Sequence, residues 1–349
     1  MDNKKFYELG LYEKSMPNTL SFREKLETVK ATGFDFLEIS IDETDEKLSR
    51  LEWTKEERQQ LVNDMFETGV PIRSMCLSGH RKYPFGSHDE ATRARSLEIM
   101  EKAILVTSFG TSHKDTREKC LDVIENKVKE KYGQEKVERA YTSGIIRRII
   151  EKREGIHIFD QKEGLEALKN KGYNEIITMS LHILGGIEYS KLDDSYGKVT
   201  EPLLKAEEDY LKIVNNEEFN NLEGNDAIVF MGHGTESAAD STYQKLQEEY
   251  IKAGKNNIFV ATVEGEVTIE DIIEKLKTGN YKKILLKPFM IVAGDHAKND
   301  MASDEEDSWK TMLKNEGYEV TALLKGMGEY EFIQDMFMDK LEKVYKNKN

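Results

Sequence analysis

Short apolar runs alternate with longer amphipathic stretches along the whole of this 349-residue chain. An apolar run of strand length followed by a stretch of helical periodicity is typical of βα units arranged around parallel sheets. The predicted strands are residues 34–41, 70–77, 103–109, 175–183, 227–233, 258–264 and 283–292. Residues 116–132 and 268–278 have the helical pattern that is expected between such runs. The sequence therefore predicts an α/β fold.

The composition argues against several classes of protein. No segment is long and apolar enough to cross a bilayer, and the first residues lack the apolar core of a signal peptide. Cys76 and Cys120 lie far apart, which favours reduced thiols over a disulfide framework. A formal net charge of −15 argues against nucleic acid, whose binding needs a concentrated basic surface. We therefore expect a cytoplasmic protein that binds neither nucleic acid nor a membrane and that gathers positive charge locally if its substrate is anionic.

An internal repeat begins near residue 103. Two pairs of segments match in the same order and at similar spacing, 103–112 with 227–236 and 173–186 with 281–294. Duplication explains this order better than the general likeness of βα units does. We predict two similar doubly wound lobes, residues 102–224 and 225–349, with a cleft where the carboxyl ends of their strands meet. Residues 1–101 form a separate segment before them.

Three potential metal ligands follow successive predicted strands of the second lobe. His233, Glu264 and His296 are separated from one another by about one βα unit. Because the carboxyl ends of parallel strands meet at one edge of a sheet, we expect these side chains to converge. Two imidazoles and one carboxylate suit a borderline divalent metal with open coordination positions. Each residue alone could have a structural role, and Glu266 is a rival of Glu264, so these residues predict a metal site but no reaction.

The first lobe offers candidates that have equally good structural explanations. Ser108 and Thr111 lie in SFGTS, which is either an anion-binding turn or an ordinary tight turn between strand and helix. His182 is either a substrate contact or a core histidine. Arg147 and Arg148 follow a glycine on a predicted helix, where they could bind a polyanion or form a solvated face.

From about Ala103 onward the sequence resembles the anaerobic sirohydrochlorin cobaltochelatases of cobalamin biosynthesis, which are class II chelatases. The stretches that carry the resemblance are LVTSFGTSHKDT, YTSGIIRR, SLHILGG, VFMGHG, VAGDHAKNDMASDEEDSWK and GMGE. In that family two histidines and a glutamate hold the metal and one histidine doubles as the base. The resemblance implies that His233, Glu264 and His296 are the ligands, that His233 is the base, and that His233 and Glu264 are catalytic.

The resemblance also implies the reactants. The metal is a divalent substrate, Co²⁺ first and Fe²⁺ or Ni²⁺ as alternatives, and no organic cofactor is needed. The other substrate is a tetrapyrrole with eight carboxylates, and a homo-oligomer is compatible with the family. The candidate contacts to the tetrapyrrole are Ser108, Thr111, Arg147, Arg148 and His182. Residues 191–200 are shorter than the corresponding segment of the family, which implies the loss of a helix and part of a strand.

Residues 1–101 resemble a different family, the beginning of the L-ribulose- or L-xylulose-5-phosphate 3-epimerases, which are TIM barrels. The stretches that carry this resemblance are LGLYEKSMP, GFDFLEISIDETDEKLSRLEW, SMCLSGHRKYPFGS and RARSLEIMEKAI. They cover about three of the eight βα units that a closed barrel needs, so epimerase activity is not expected. His80 and Arg81, which could bind a phosphate in a complete barrel, are expected to lie in an orphaned loop. The remaining alternatives for the whole chain are a non-catalytic metal or haem carrier and a fusion with degraded function.

Overall fold

The structure is a computed structural model that describes residues 7–42, 44–78, 81, 87–89, 92, 102–171, 173, 175–195 and 197–346. The chain divides into two compact units, Met1–Glu101 and Lys102–Asn349. Among the described residues, no helix combines the length and apolar character that crossing a membrane requires.

The N-terminal unit contains a parallel three-stranded sheet. Its strands, in the order β1-β2-β3, are β1 (Gly10–Tyr12), β2 (Phe36–Ile41) and β3 (Ile72–Leu77). Its helices are α1 (Phe22–Ala31), α2 (Asp45–Leu48) and α3 (Lys55–Thr68). Both α1 and α3 begin with a capping box, in which Ser21 pairs with Glu24 and Thr54 with Glu57. Three strands and the helices that follow β1 and β2 are therefore present, whereas His80 and most of the segment after β3 lie outside the described residues.

The C-terminal unit contains two parallel sheets. The first has the order β5-β4-β6 and the second β10-β9-β7-β8. The strands are β4 (Ala103–Ser108), β5 (Val137–Tyr141), β6 (Ile176–Ser180), β7 (Ala227–Gly232), β8 (Ile258–Thr262), β9 (Lys283–Pro288) and β10 (Glu319–Ala322). The helices are α4 (Lys114–Thr116), α5 (Asp122–Tyr132), α6 (Gly144–Glu154), α7 (Gln161–Asn170), α8 (Ile187–Ser190), α9 (Glu207–Asn215), α10 (Ser241–Lys252), α11 (Ile269–Lys277), α12 (Trp309–Asn315) and α13 (Glu331–Lys346), with π-helical turns at Arg117–Leu121 and Ala297–Met301.

The central strands β4 and β7 are buried on both faces, which explains their continuous apolar sequences. On β7, Ile228 and Phe230 pack with α10 and α13 on one face, and Val229 and Met231 pack with α11 on the other. Helices thus cover both faces of the sheet, and the predicted doubly wound α/β fold is confirmed.

The two lobes meet through reciprocal contacts between equivalent loops. A Cβ atom built on Gly186 would lie 3.5 Å from the Oγ1 of Thr235, and one on Gly294 would lie 3.8 Å from the Oγ1 of Thr111. The repeat aligns Thr111 with Thr235 and Gly186 with Gly294. Exchanging the two lobes therefore turns the first of these contacts into the second. This reciprocity is what the internal repeat predicts.

The predicted strands are longer than the observed ones, and three short strands are absent from the prediction. β9 ends at Pro288 instead of continuing to residue 292, and the N–H of the next residue, Phe289, still donates to the carbonyl of Met231 on β7. The missed strands are β1, β5 and β10, each of five residues or fewer.

The shortened segment 191–200 leaves the first lobe smaller than the second. Where the second lobe has α12 and β10 beside β9, the first has the one-turn helix α8 and a single bridge between Thr178 and Val199. Among the described residues, the first lobe therefore has no counterpart of α12 and only a bridge in place of β10, which agrees with the loss of a helix and part of a strand that the resemblance implies.

Candidate metal centre

The ends of β7 and β8 place the first two candidate ligands. His233 follows the last residue of β7, and Glu264 comes two residues after β8. The N–H of Glu264 donates to the carbonyl of His233 at 2.8 Å, which joins the two loops directly. His296 reaches the same edge from the loop after β9 and immediately precedes the π-helical turn Ala297–Met301.

The structure brings these three side chains together. Each offers one potential ligand atom such that all three atoms lie within 4.8 Å of one another. The Nδ1 of His233 lies 3.6 Å from a carboxylate oxygen of Glu264, and the rings of His233 and His296 are 4.7 Å apart and nearly perpendicular. Their side chains are 44%, 57% and 33% exposed, in chain order, so a ligand from solution can reach them.

Hydrogen bonds hold both imidazoles in a defined tautomer. The Nδ1 of His233 lies 3.1 Å from the carbonyl oxygen of Gly234, and the Nδ1 of His296 lies 2.5 Å from the Oδ2 of Asp300. Since a carbonyl or carboxylate oxygen accepts, each Nδ1 carries the proton. The lone pair of each Nε2 then remains available for a metal ion.

The buried carboxylate of Asp240 ties two ligand loops together. Its Oδ1 accepts from the N–H of Thr235 at 3.0 Å, and its Oδ2 accepts from the N–H of Glu266 at 2.8 Å. Asp240 is 7% exposed, and both of its bonds reach residues next to the proposed ligands. No local sequence signal indicates this role, because Asp240 is distant from the second loop along the chain.

Charged contacts join the first lobe to the loop that carries His296. The Nε2 of His113 lies 2.9 Å from the Oδ1 of Asp295, and Lys298 pairs with Asp115 at 3.2 Å. These pairs are not predictable from the sequence, since nothing in it indicates which residues of the two lobes face each other.

Comparison with known proteins gives the family of the C-terminal unit. A family model described as cobalt chelatase (CbiK) matches residues 102–346. The chain is also 35% identical over 256 residues to the sirohydrochlorin cobaltochelatase of Salmonella typhimurium, which covers 70% of this chain and 97% of that relative. The chain belongs to the cobalt chelatase (CbiK) family. The expected family resemblance is therefore confirmed, and the C-terminal unit is that of a cobaltochelatase enzyme.

The N-terminal unit is similar to proteins of a different family. A family model described as a xylose isomerase-like TIM barrel matches residues 26–108. The L-ribulose-5-phosphate 3-epimerase UlaE of Escherichia coli O139:H28 is 57% identical over 96 residues, which cover 28% of this chain and 34% of that relative. The chain thus spans about a third of the length of this epimerase and joins segments that resemble two distinct families.

Ser108 and Thr111, two candidate substrate contacts of the first lobe, are part of the local structure after β4. The Oγ1 of Thr111 lies 3.2 Å from that of Thr116 and accepts from the N–H of His113, while Ser108 is buried at the end of β4. Both residues therefore build the turn after β4. Their contact with a substrate stays a prediction.

The two arginines on α6 differ in their surroundings. Arg147 is half-buried and donates to Asp160 and Glu163 at 3.3 Å. Arg148 is exposed and donates from its Nε to the carbonyl of Gly144. The sequence placed both on one helix but could not show that Arg147 meets acidic residues of the next helix.

His182 is held as a neutral imidazole. Burial lowers its pKa to about 4, although the carboxylate of Glu188 opposes the shift. Its Nδ1 lies 2.9 Å from the Oγ of Ser180, and its Nε2 is buried without a partner among the described residues.

Proposed function

We propose that this protein inserts Co²⁺ into sirohydrochlorin, with His233, Glu264 and His296 as the ligands of the incoming ion. The convergence of their ligand atoms within 4.8 Å carries the proposal. Membership of the cobalt chelatase family and the name of the Salmonella relative support the metal and the tetrapyrrole.

The arrangement suits the delivery of a metal ion better than its permanent storage. Three protein ligands leave coordination positions open on a divalent ion, and the exposed side chains allow a flat ring to approach. Pyrrole nitrogens can then replace the protein ligands one after another. The ion is a substrate in this reaction.

His233 also receives a proton in the proposed mechanism. Insertion of the divalent ion displaces two pyrrole protons. Once the ion moves to the ring, the Nε2 of His233 has a free lone pair that can accept one of them, and the other passes to water. The carboxylate of Glu264, 3.6 Å from Nδ1, stabilises the imidazolium that forms. Glu264 is therefore both a ligand and a catalytic residue.

Among the proposed contacts to the substrate carboxylates, Arg148 is our first candidate because its side chain is exposed. Arg147 would have to exchange Asp160 and Glu163 for a substrate group. Ser108, Thr111 and His182 remain proposed contacts at the carboxyl edge of the first sheet. A ligand set of two imidazoles and a carboxylate does not separate Co²⁺ from Fe²⁺ or Ni²⁺, so all three ions belong in the assay.

The test is the metal-dependent absorbance change of sirohydrochlorin with the full-length protein, measured against the spontaneous rate. His233→Ala should slow insertion by roughly 10²–10⁴-fold, and added imidazole should restore part of the rate. The matched control is His157→Ala, which removes an exposed histidine of the first lobe and should leave the rate unchanged. Equal rates for His233→Ala and the wild type would exclude both roles of His233.

A further inference from the structure

The two imidazoles of the metal centre have different hydrogen-bond acceptors behind them. His233 donates to a neutral backbone carbonyl, whereas His296 donates to the carboxylate of Asp300 at 2.5 Å. A hydrogen bond to a charged acceptor is shorter and about twice as strong as one between neutral groups. The two histidines are therefore unequal as ligands.

The backbone around His296 fixes the geometry of this pair. His296 and Asp300 lie four residues apart, with His296 immediately before the π-helical turn Ala297–Met301 and Asp300 within it. Ala297 and Met301 are fully buried in a hydrophobic cluster of the second lobe, with Trp309 and Leu313. Because this side of the turn is anchored in the core, Asp300 stays on the same side as the His296 ring.

We propose that Asp300 is a positioning residue that holds the His296 ring with its Nε2 toward the metal ion and makes His296 the stronger imidazole ligand. A carboxylate behind a ligating histidine fixes its tautomer and increases its basicity. His233, whose Nδ1 donates to the carbonyl of Gly234 and lies 3.6 Å from Glu264, beyond hydrogen-bonding distance, is then the ligand that releases the ion and becomes free to take a proton. This inference rests on the proposed metal site.

The probe is Co²⁺ alone, titrated into the full-length protein and followed by its visible d–d absorption. Asp300→Ala should weaken Co²⁺ binding by roughly 10–100-fold and change the absorption spectrum of the bound ion. Asp300→Asn keeps an acceptor but loses the charge, so its affinity should fall between those of Asp300→Ala and the wild type. Since the side chain of Asp300 is 45% exposed, these replacements leave the thermal unfolding midpoint nearly unchanged.

Two further variants separate orientation from general charge. Asp304→Ala removes an almost fully exposed carboxylate four residues after Asp300 and should change the affinity by less than about fivefold. In a His296→Ala background, Asp300→Ala should have no further effect, because its partner is already gone.

The possible outcomes distinguish this inference from the metal site on which it rests. If His296→Ala weakens binding while Asp300→Ala binds like the wild type, Asp300 has no positioning role but the site stands. Equal weakening by Asp300→Ala and Asp304→Ala, or a full effect of Asp300→Ala in the His296→Ala background, would also overturn the inference. Undiminished binding in His296→Ala would instead refute the metal site itself.

Discussion

At the scale of single residues, Lys287 is a charged group within the core of the chelatase unit. It lies on β9 and is 1% exposed, and its ammonium donates to the carbonyl of Phe219 at 2.6 Å. The rings of Phe219 and Tyr330 lie 5.1 and 5.4 Å from the Nζ. Burial lowers the pKa of Lys287 to about 8, although Glu223 opposes the shift. The folded protein therefore carries a buried charge at neutral pH that one hydrogen bond, aromatic faces and the carboxylate of Glu223 compensate in part.

Lys287→Met should increase the free energy of unfolding at pH 7, by about 1–4 kcal/mol, because it removes this buried charge. Lysine titrates near 10.5 when exposed, so between pH 8 and 10.5 the unfolded chain binds more protons than the folded one. The wild type therefore gains stability with rising pH in this window, and the advantage of the variant shrinks. Guanidinium chloride denaturation at pH 7 and 9.5 measures both effects.

The matched control for this prediction is Lys283→Met, which replaces the exposed lysine at the start of the same strand. Its effect should be small at both pH values. A Lys287→Met protein that is less stable than the wild type at pH 7, or whose advantage does not change with pH, would contradict the prediction.

Residue roles could be predicted where they follow from position on a strand. His233, Glu264 and His296 were identified because equivalent strand ends converge, and the structure brings the three together. Asp240 was not identified, because its contacts depend on how two distant loops approach each other.

At the scale of elements, the loop after β7 depends on a glycine. Gly234 has a φ of 85°, and a Cβ at this position would lie 2.3 Å from the backbone nitrogen of Gly265. A side chain here would therefore force apart the two loops that carry His233 and Glu264.

Gly234→Ala should abolish Co²⁺ binding, measured by titration, because it separates these ligands. Gly254→Ala is a suitable control, since Gly254 also has a positive φ, 75°, but has nothing within 4 Å of its Cβ position. It should cost about 1–2 kcal/mol of stability through strain alone and leave Co²⁺ binding intact. Loss of Co²⁺ binding in both variants, or in neither, would show that the close approach of the two loops does not determine Co²⁺ binding.

The elements were predictable to different degrees. Long apolar strands such as β4 and β7 stand out because both faces are buried. The short strands β5 and β10 carry polar residues among their four or five positions, so their sequences resemble loops. Their pairing is determined by neighbouring strands, which a local pattern does not contain.

At the scale of the whole molecule, the N-terminal unit has its own internal structure. Glu13 is fully buried and accepts from Lys25 at 2.7 Å and from Arg50 at 2.6 and 2.8 Å. Although burial raises the pKa of Glu13, these hydrogen bonds and one from the N–H of Ser40 bring it down to about 2. All four residues lie within the unit, so this ion cluster does not depend on the chelatase sequence.

Deleting residues 1–101 should leave the rate of Co²⁺ insertion unchanged, because the three proposed ligands lie in the other unit. The measurement compares initial rates of the full-length and truncated proteins at equal concentrations of folded protein. We also expect no epimerase activity from the full chain, since only about three barrel units are present. A truncated protein that folds and binds tetrapyrrole but no longer inserts metal would show a catalytic role for the N-terminal unit.

The most direct test of the metal centre is a crystal structure of the full-length protein soaked with Co²⁺, with the ion located by its anomalous scattering. We predict one strong peak roughly 2.0–2.2 Å from a nitrogen of His233, a nitrogen of His296 and a carboxylate oxygen of Glu264. A cobalt peak that leaves any of these three side chains out of coordination reach would contradict the account.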